Sequence, residues 1–366
     1  MNKAALTTTS VATPAQDRPI QPPVDGAAGQ IVGVQYLRGF AALAVVVYHL
    51  SQRWESFAGV PALETLRSGV DVFFVISGFV MVWSTNAGAR LSARDFMARR
   101  IIRIVPLYWV VTTLVLVALL VAPAAIWWTG TYPLHTIGSF LFLPLENPRI
   151  GAIYPVVPLG WTLLFEMFFY LCFALAIMLG RREPKRVMTI LIASMVGFVL
   201  LGQLVQLPEA LDFYARPILL EFVFGMIAGL LVRRFVGPQW PWLALAIFSL
   251  AALIFLPDMP NSWRALRFGV PAVLLVHAAI HVAGWNSGFW HRMGDMSYSL
   301  YLAHYPVVMG LAALWTASLP STSPIAYAGF LALGCLLSVA AGYACWLLVE
   351  RPLVKAGRAH LSSKNP

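Results

Sequence analysis

Ten apolar runs, each close to the length of a bilayer crossing, succeed one another between residues 33 and 349. A hydrocarbon core of roughly 30 Å takes about 20 helical residues. No water inside it can satisfy a backbone amide, so each run must close its own hydrogen bonds as a helix. The runs lie at about 33–52, 68–86, 101–123, 157–180, 187–206, 214–233, 240–257, 267–284, 297–317 and 325–349. The predicted fold is therefore all-α, a polytopic membrane protein with about ten transmembrane helices. With 60% hydrophobic and 11% charged residues, the net charge of +10 reports membrane topology and not nucleic-acid binding.

The basic residues alternate in side. The loop after the second run carries Arg90, Arg94, Arg99, Arg100 and Arg103, and the loop after the fourth carries Arg181, Arg182, Lys185 and Arg186. Arg233 and Arg234 follow the sixth, Arg292 the eighth, and Arg351, Lys355, Arg358 and Lys364 the tenth. With Lys3 and Arg18 this side collects 18 of the 25 Lys and Arg, against Arg53, Arg67, Arg149, Arg216, Arg264 and Arg267 on the other. The positive-inside rule then puts both termini in the cytoplasm. Residues 1–31, rich in Pro, Ala, Thr, Gln and Gly, are expected to be a disordered cytoplasmic tail without a signal peptide, so that the first helix serves as its own insertion signal. Residues 32–352 are expected to form one membrane domain and 353–366 a second cytoplasmic tail. Cys172, Cys335 and Cys345 fall inside apolar runs with no Cys/His pairing motif, so neither a disulfide framework nor a metal site is expected. The segment 124–156, with Trp127, Trp128, Tyr132 and Tyr154, reads as an interfacial or re-entrant piece.

Ionisable side chains inside these runs are costly to hold in a membrane and therefore point to function. Arg38 and His49 lie eleven residues apart in the first run. On a helix that is about 16.5 Å of rise and about 20° of rotation, so both face one side. An imidazole at that depth is suited to act as a general base toward a hydroxyl. Asp71 opens the second run at a similar depth, either orienting His49 through one ring nitrogen or capping its own helix. Ser77-Gly78 in mid-run suits close helix packing. Arg100 and Arg103, at i and i+3, share a face and suit bidentate phosphate binding, although basic residues at this boundary also serve as anchors. Glu166 stands in an otherwise apolar helix. Tyr298, Tyr301 and Tyr305 form one hydroxylated face beside Ser297 and His304, and Pro306 follows as a kink site. Small residues from Gly334 to Ala344 suit close helix approach, and Glu350-Arg351-Pro352 reads as a plain helix exit.

Taken in order, these stretches resemble membrane acyltransferase family 3, the ten-helix O-acyltransferases of bacterial envelope and exopolysaccharides. Arg38 and His49 are similar to its first-helix pair, Gly69–Phe79 to its Asp-Phe-Phe-Ser-Gly-Phe segment, and Arg100-Ile101-Ile102-Arg103 to its arginine pair. Ser297–Pro306 and Glu350-Arg351-Pro352 fit its closing signatures, and the likeness runs from Gly33 to about Pro352. The resemblance implies that acetyl-CoA or a related acyl-CoA donates its acyl group from the cytoplasm to a glycan hydroxyl at the outer side of the bacterial inner membrane. With only 14 residues after Pro352, and Trp161-Thr162-Leu163 ahead of Glu166, the expected branch is the stand-alone exopolysaccharide O-acetyltransferases.

Joined to the residues, the resemblance implies that Arg100, Arg103 and Arg38 hold the donor phosphates. His49, oriented by Asp71, would deprotonate the acceptor, and Arg38 could also stabilise developing charge. Glu166, Tyr298, Tyr301 and His304 would line the substrate path. Direct transfer and a covalent acyl-histidine both stay open. The alternatives are a transporter or flippase for an anionic or glycan substrate, weakened by the lack of internal repeats, and a non-catalytic partner in polysaccharide synthesis. A ligand-sized passage should join His49 to Arg100 and Arg103.

Overall fold

The computed structural model describes residues 24–25, 30–85, 92–121, 126, 128–232, 238–257, 259–281, 287–318 and 322–363. Lys3, Arg18, Arg90, Trp127, Arg233, Arg234, Lys364 and most of the expected N-terminal tail lie outside these residues. Within that tail, Val24–Asp25 pairs antiparallel with Gln30–Ile31.

The membrane helices fall on the ten apolar runs. They are α1 Val32–Ala58, α2 Gly69–Thr85, α3 Ala93–Val121, α5 Gly160–Leu179, α6 Pro184–Leu204, α8 Leu220–Leu231, α9 Gln239–Phe255, α10 Val270–His281, α12 Ser297–Ser318 and α13 Pro324–Cys345. Between them lie the short α4 Pro133–Phe140, α7 Glu209–Tyr214 and α11 Gly288–Asp295, and α14 Arg351–Ser363 follows. Eight of the resulting apolar spans are long enough to cross a bilayer, and Pro217–Leu231 and Gln239–Phe255 are shorter. Local chemistry sets the ends. Gly59 closes α1 in the left-handed region at φ 71° with its N–H on the Glu55 carbonyl, and the Ser323 hydroxyl accepts from the Ala326 amide to open α13.

Helix α1 is the hub, packed against α2, α10, α11, α12 and α13. A second layer of α3, α5, α6 and α8 meets it through α2 and α12, and aromatic rings fill the seam: Phe222 lies 4.7 Å from Phe74 and 4.4 Å from Phe169 between ring centroids. Leu120, Leu204, Phe255 and Ile325 stay exposed. In a bilayer these side chains meet lipid tails, the solvent that suits them.

Helix α2 approaches α8 closely at two glycines. A Cβ on Gly78 would stand 2.0 Å from the Phe222 carbonyl oxygen, and one on Gly225 would stand 1.9 Å from that of Val75. The close-packing role expected for Gly78 follows from this contact. The expected helix exit at Glu350-Arg351-Pro352 is corrected. A π-helical turn at Trp346–Glu350 joins α13 to α14, which runs along α3 to Ser363. The i→i+5 turn shifts the hydrogen-bond register just ahead of Pro352, so the missing proline N–H does not end the helix.

The described residues of the interfacial segment, 126 and 128–156, form a short helix (α4) followed by a hairpin pairing Glu146–Asn147 with Ala152–Ile153. Trp128 is buried there, its indole N–H donating to the Val156 carbonyl at 3.1 Å.

Candidate active site

The three arginines singled out in the sequence come together. Arg38 from α1 and Arg100 and Arg103 from α3 line one cavity with residues of α2, α5 and α12, with about 870 Å3 of empty space including its open mouth. Along α2 the lining runs from Val70 to Met81, eleven residues or about 16 Å of helix. Arg38 donates through Nη1 to Gln35 Oε1 at 3.1 Å and through Nη2 to Ser297 Oγ at 2.9 Å. Gln35 in turn donates to Asp295 Oδ1, which ties the arginine to the junction of α11 and α12. The Arg100 guanidinium lies over the rings of Phe96 and Tyr170 at 5.4 and 5.5 Å. Glu166 accepts from the Tyr170 hydroxyl and, at 3.3 Å, from Ser77 Oγ. Tyr170 stands four residues beyond Glu166, a pairing that helical spacing alone could have flagged.

The guanidiniums in this cavity are not paired. Among the described residues none of the three guanidiniums forms an ion pair within 4.0 Å, and Arg100 Nε is buried without a hydrogen-bond partner. Glu166 lines the cavity, and Glu350, which accepts from Ser299 Oγ, lies within electrostatic reach of Arg38 and Arg103. Asp295, reached through Gln35, makes a third carboxylate near Arg38, so the charges match in number but none of the carboxylates pairs directly with a guanidinium, and three such unpaired groups in a low-dielectric space suit an anionic ligand.

His49 stands one ring further along. Its Nδ1 lies 3.4 Å from Gln52 Oε1, and its ring centroid is 4.9 Å from Tyr48, 5.6 Å from Tyr305 and 5.3 Å from His304. His304 is fully buried, with Nδ1 3.1 Å from the Leu300 carbonyl oxygen. A carbonyl can only accept, so Nδ1 carries the proton and Nε2 the lone pair. That Nε2 has no partner among the described residues. Tyr305 also packs on Trp128, joining His49 to the segment around α4.

Two expectations are corrected. Asp71 does not orient His49. It accepts from Arg264 Nη2 at 2.8 Å, and Arg264 Nε lies 3.9 Å from Glu221. The cause is helix phase. Val70, Phe73, Phe74, Ser77, Val80 and Met81 turn toward the arginine cavity, whereas Asp71 shares its face with Val75 and Gly78, the positions that meet α8. The expected open passage to His49 is also interrupted, because His49 does not line the cavity. The cavity reaches Tyr301, whose hydroxyl is 2.9 Å from Thr162 Oγ1 and 3.2 Å from the Leu159 carbonyl oxygen, and whose ring lies 6.0 Å from His304. Tyr301 and His304 thus link cavity and His49 as a chain of packed rings. Tyr298 lines the cavity too, its hydroxyl donating to the Ile104 carbonyl at 2.7 Å.

Residues 31–346 match the acyltransferase domain family. The exopolysaccharide production protein ExoZ of Rhizobium meliloti (strain 1021) is 33% identical over 304 residues, covering 80% of this chain and 90% of its own. The acyltransferase MdmB of Streptomyces mycarofaciens is 29% identical over 368 residues, covering 87% of this chain and 90% of its own. The O-acetyltransferase OatA of Staphylococcus aureus (strain NCTC 8325 / PS 47) is 23% identical over 323 residues, with 76% of this chain matched to 50% of that protein. No solved structure matches this chain.

Proposed function

The chain belongs to the acyltransferase domain family and is a multi-pass membrane acyltransferase, and from that premise we propose that it transfers an acetyl or related acyl group from acyl-CoA in the cytoplasm to a glycan hydroxyl at the outer side of the bacterial inner membrane. The observation that carries the donor half is the arginine cavity. Its unpaired guanidiniums suit the phosphates of coenzyme A, and its length along α2 suits the pantetheine arm. The basic loops at that end of the bundle, with Arg99, Arg181, Arg182 and Lys185, support a cytoplasmic mouth. The acceptor half rests on the printed names of ExoZ and OatA, one tied to exopolysaccharide production and the other to O-acetyl transfer.

In the proposed reaction His49 takes the proton from the acceptor hydroxyl through Nε2, since Nδ1 faces Gln52. The oxygen then bonds to the thioester carbonyl carbon, the carbon–sulfur bond breaks, and the thiolate receives the proton. His304 packs against both His49 and Tyr301, and its unpartnered Nε2 can take that proton up and release it to the leaving sulfur while Nδ1 stays on the Leu300 carbonyl. For the thioester to meet His49, the Tyr301–Thr162 contact must open when donor enters.

The test uses purified protein in liposomes with radiolabelled acetyl-CoA and de-O-acetylated polysaccharide from the source organism. Acceptor-dependent release of free CoA, with label on the glycan, is expected. General base catalysis contributes about 10²–10⁴-fold, so His49→Ala should lose at least about a hundredfold in kcat. His304→Ala should lower kcat and move its pH profile while the KM for acetyl-CoA stays near wild type. Retention of more than about a tenth of the wild-type rate in His49→Ala would end the base assignment.

A further inference from the structure

A second large cavity opens at the end of the bundle remote from the 181–186 loop, with about 1270 Å3 of empty space. Its walls come from four separated pieces of chain: the hairpin ending at Tyr154, the start of α5 at Trp161, the α6–α8 connection with Asp212 and Arg216, and the start of the eighth span at Asn261. Nothing in the donor chemistry uses it.

The lining has the character of a polyol site. Trp161 and Tyr154 offer aromatic surface, against which the C–H face of a pyranose can pack. Asp212, Arg216 and Asn261 offer side chains of fixed, often two-pronged hydrogen-bonding geometry, suited to vicinal hydroxyls. All three are exposed to the cavity and its mouth and not sunk in the bundle. Asp212 balances Arg216, and the third charged lining residue, Arg264, is already held by Asp71 at 2.8 Å. The site therefore lacks the cluster of three unpaired guanidiniums found in the arginine cavity, and a neutral ligand fits it better than a phosphate.

Position links it to His49. Two residues beyond Tyr154, the Val156 carbonyl accepts from the Trp128 indole, Trp128 packs on Tyr305 at 5.4 Å, and Tyr305 packs on His49 at 5.6 Å. The backbone carbonyl of Tyr154 is held by His135 Nε2 of α4 at 2.8 Å, which fixes that wall. We propose that this cavity is the acceptor subsite, binding a neutral pyranose unit of the glycan and presenting its hydroxyl past Tyr154 to His49. The assignment rests on the acyl-transfer reading above and adds where the acceptor binds and which side chains recognise it.

The test is acceptor kinetics in the same liposome assay, with oligosaccharides cut from the de-O-acetylated polysaccharide as the probe. Loss of two sugar-binding hydrogen bonds should raise the oligosaccharide KM of an Asp212→Ala, Asn261→Ala double variant roughly tenfold or more. The KM for acetyl-CoA should stay within twofold of wild type. Should the double variant accumulate poorly, Asn261→Ala alone, at an exposed position, carries the same expectation at about threefold. An unchanged oligosaccharide KM in variants that still turn over would overturn the site, and so would a phospholipid copurifying with wild type but lost from the variants. Absence of transfer by the wild-type protein would sink the acyl-transfer reading instead, so the two failures are distinct.

Discussion

Arg100 and Arg103 make the case for donor binding at the level of single side chains. Each offers a charge-assisted contact worth about 1.5–3 kcal/mol, so Arg100→Ala with Arg103→Ala should raise the KM for acetyl-CoA on the order of a hundredfold or more. Oligosaccharide affinity should hold. Unchanged donor affinity would mean that the cavity takes something else. Asp71 separates structure from chemistry in the opposite way. Removing one partner of a buried ion pair costs about 3–5 kcal/mol, so Asp71→Ala should lower the melting temperature of the protein in detergent. An Asp71 acting on His49 would depress kcat instead, and kcat of the surviving protein is expected within a few-fold of wild type. The arginines were legible in the sequence because a guanidinium inside an apolar run demands a reason. The partner of Asp71 was not, since Arg264 stands 193 residues away and only the packing of α10 and the turn that opens it on α2 brings it near.

Helix phase decides which of these residues share a space, and it is fixed by contacts between elements. On α2 the glycine contacts press one face against α8 and leave Phe73, Ser77 and Met81 for the cavity. A β-branched side chain at Gly78 would meet backbone, not a yielding side chain, and such overpacking costs typically 1–3 kcal/mol or more. Gly78→Val should therefore reduce folded protein in the membrane, and any that folds should show a weakened KM for acetyl-CoA as the cavity face turns. Ser77→Ala, one residue earlier on the cavity side, should leave the amount of folded protein near wild type. Equal accumulation of Gly78→Val and wild type would remove the close α2–α8 approach from the account. The element pattern itself was readable from apolar length, which is why all ten runs appear as helices. The continuation past Pro352 was not, because a π-helical turn leaves no mark in hydropathy.

At the scale of the whole molecule, the proposed chemistry requires its two cavities to face opposite compartments. Arg38, Arg100 and Arg103 lie toward the end of the bundle that carries Lys185, whereas Tyr154, Asp212 and Asn261 lie at the end that carries Glu209. Helix α6, 21 residues from Pro184 to Leu204, separates those ends by about 31 Å, the thickness of a hydrocarbon core. Lys185 and Glu209 are both exposed, so cysteines placed there report compartment without disturbing the core. The native Cys172, Cys335 and Cys345 are part-buried within spans and suit a quiet background. In intact cells a membrane-impermeant maleimide should label Glu209→Cys at once and Lys185→Cys only after the membrane is opened. Labelling of both from one side would contradict a donor mouth and an acceptor mouth in different compartments. Labelling in the reverse order would place the arginine cavity outside, away from the coenzyme A pool, and the transfer direction proposed for His49 would have to be abandoned.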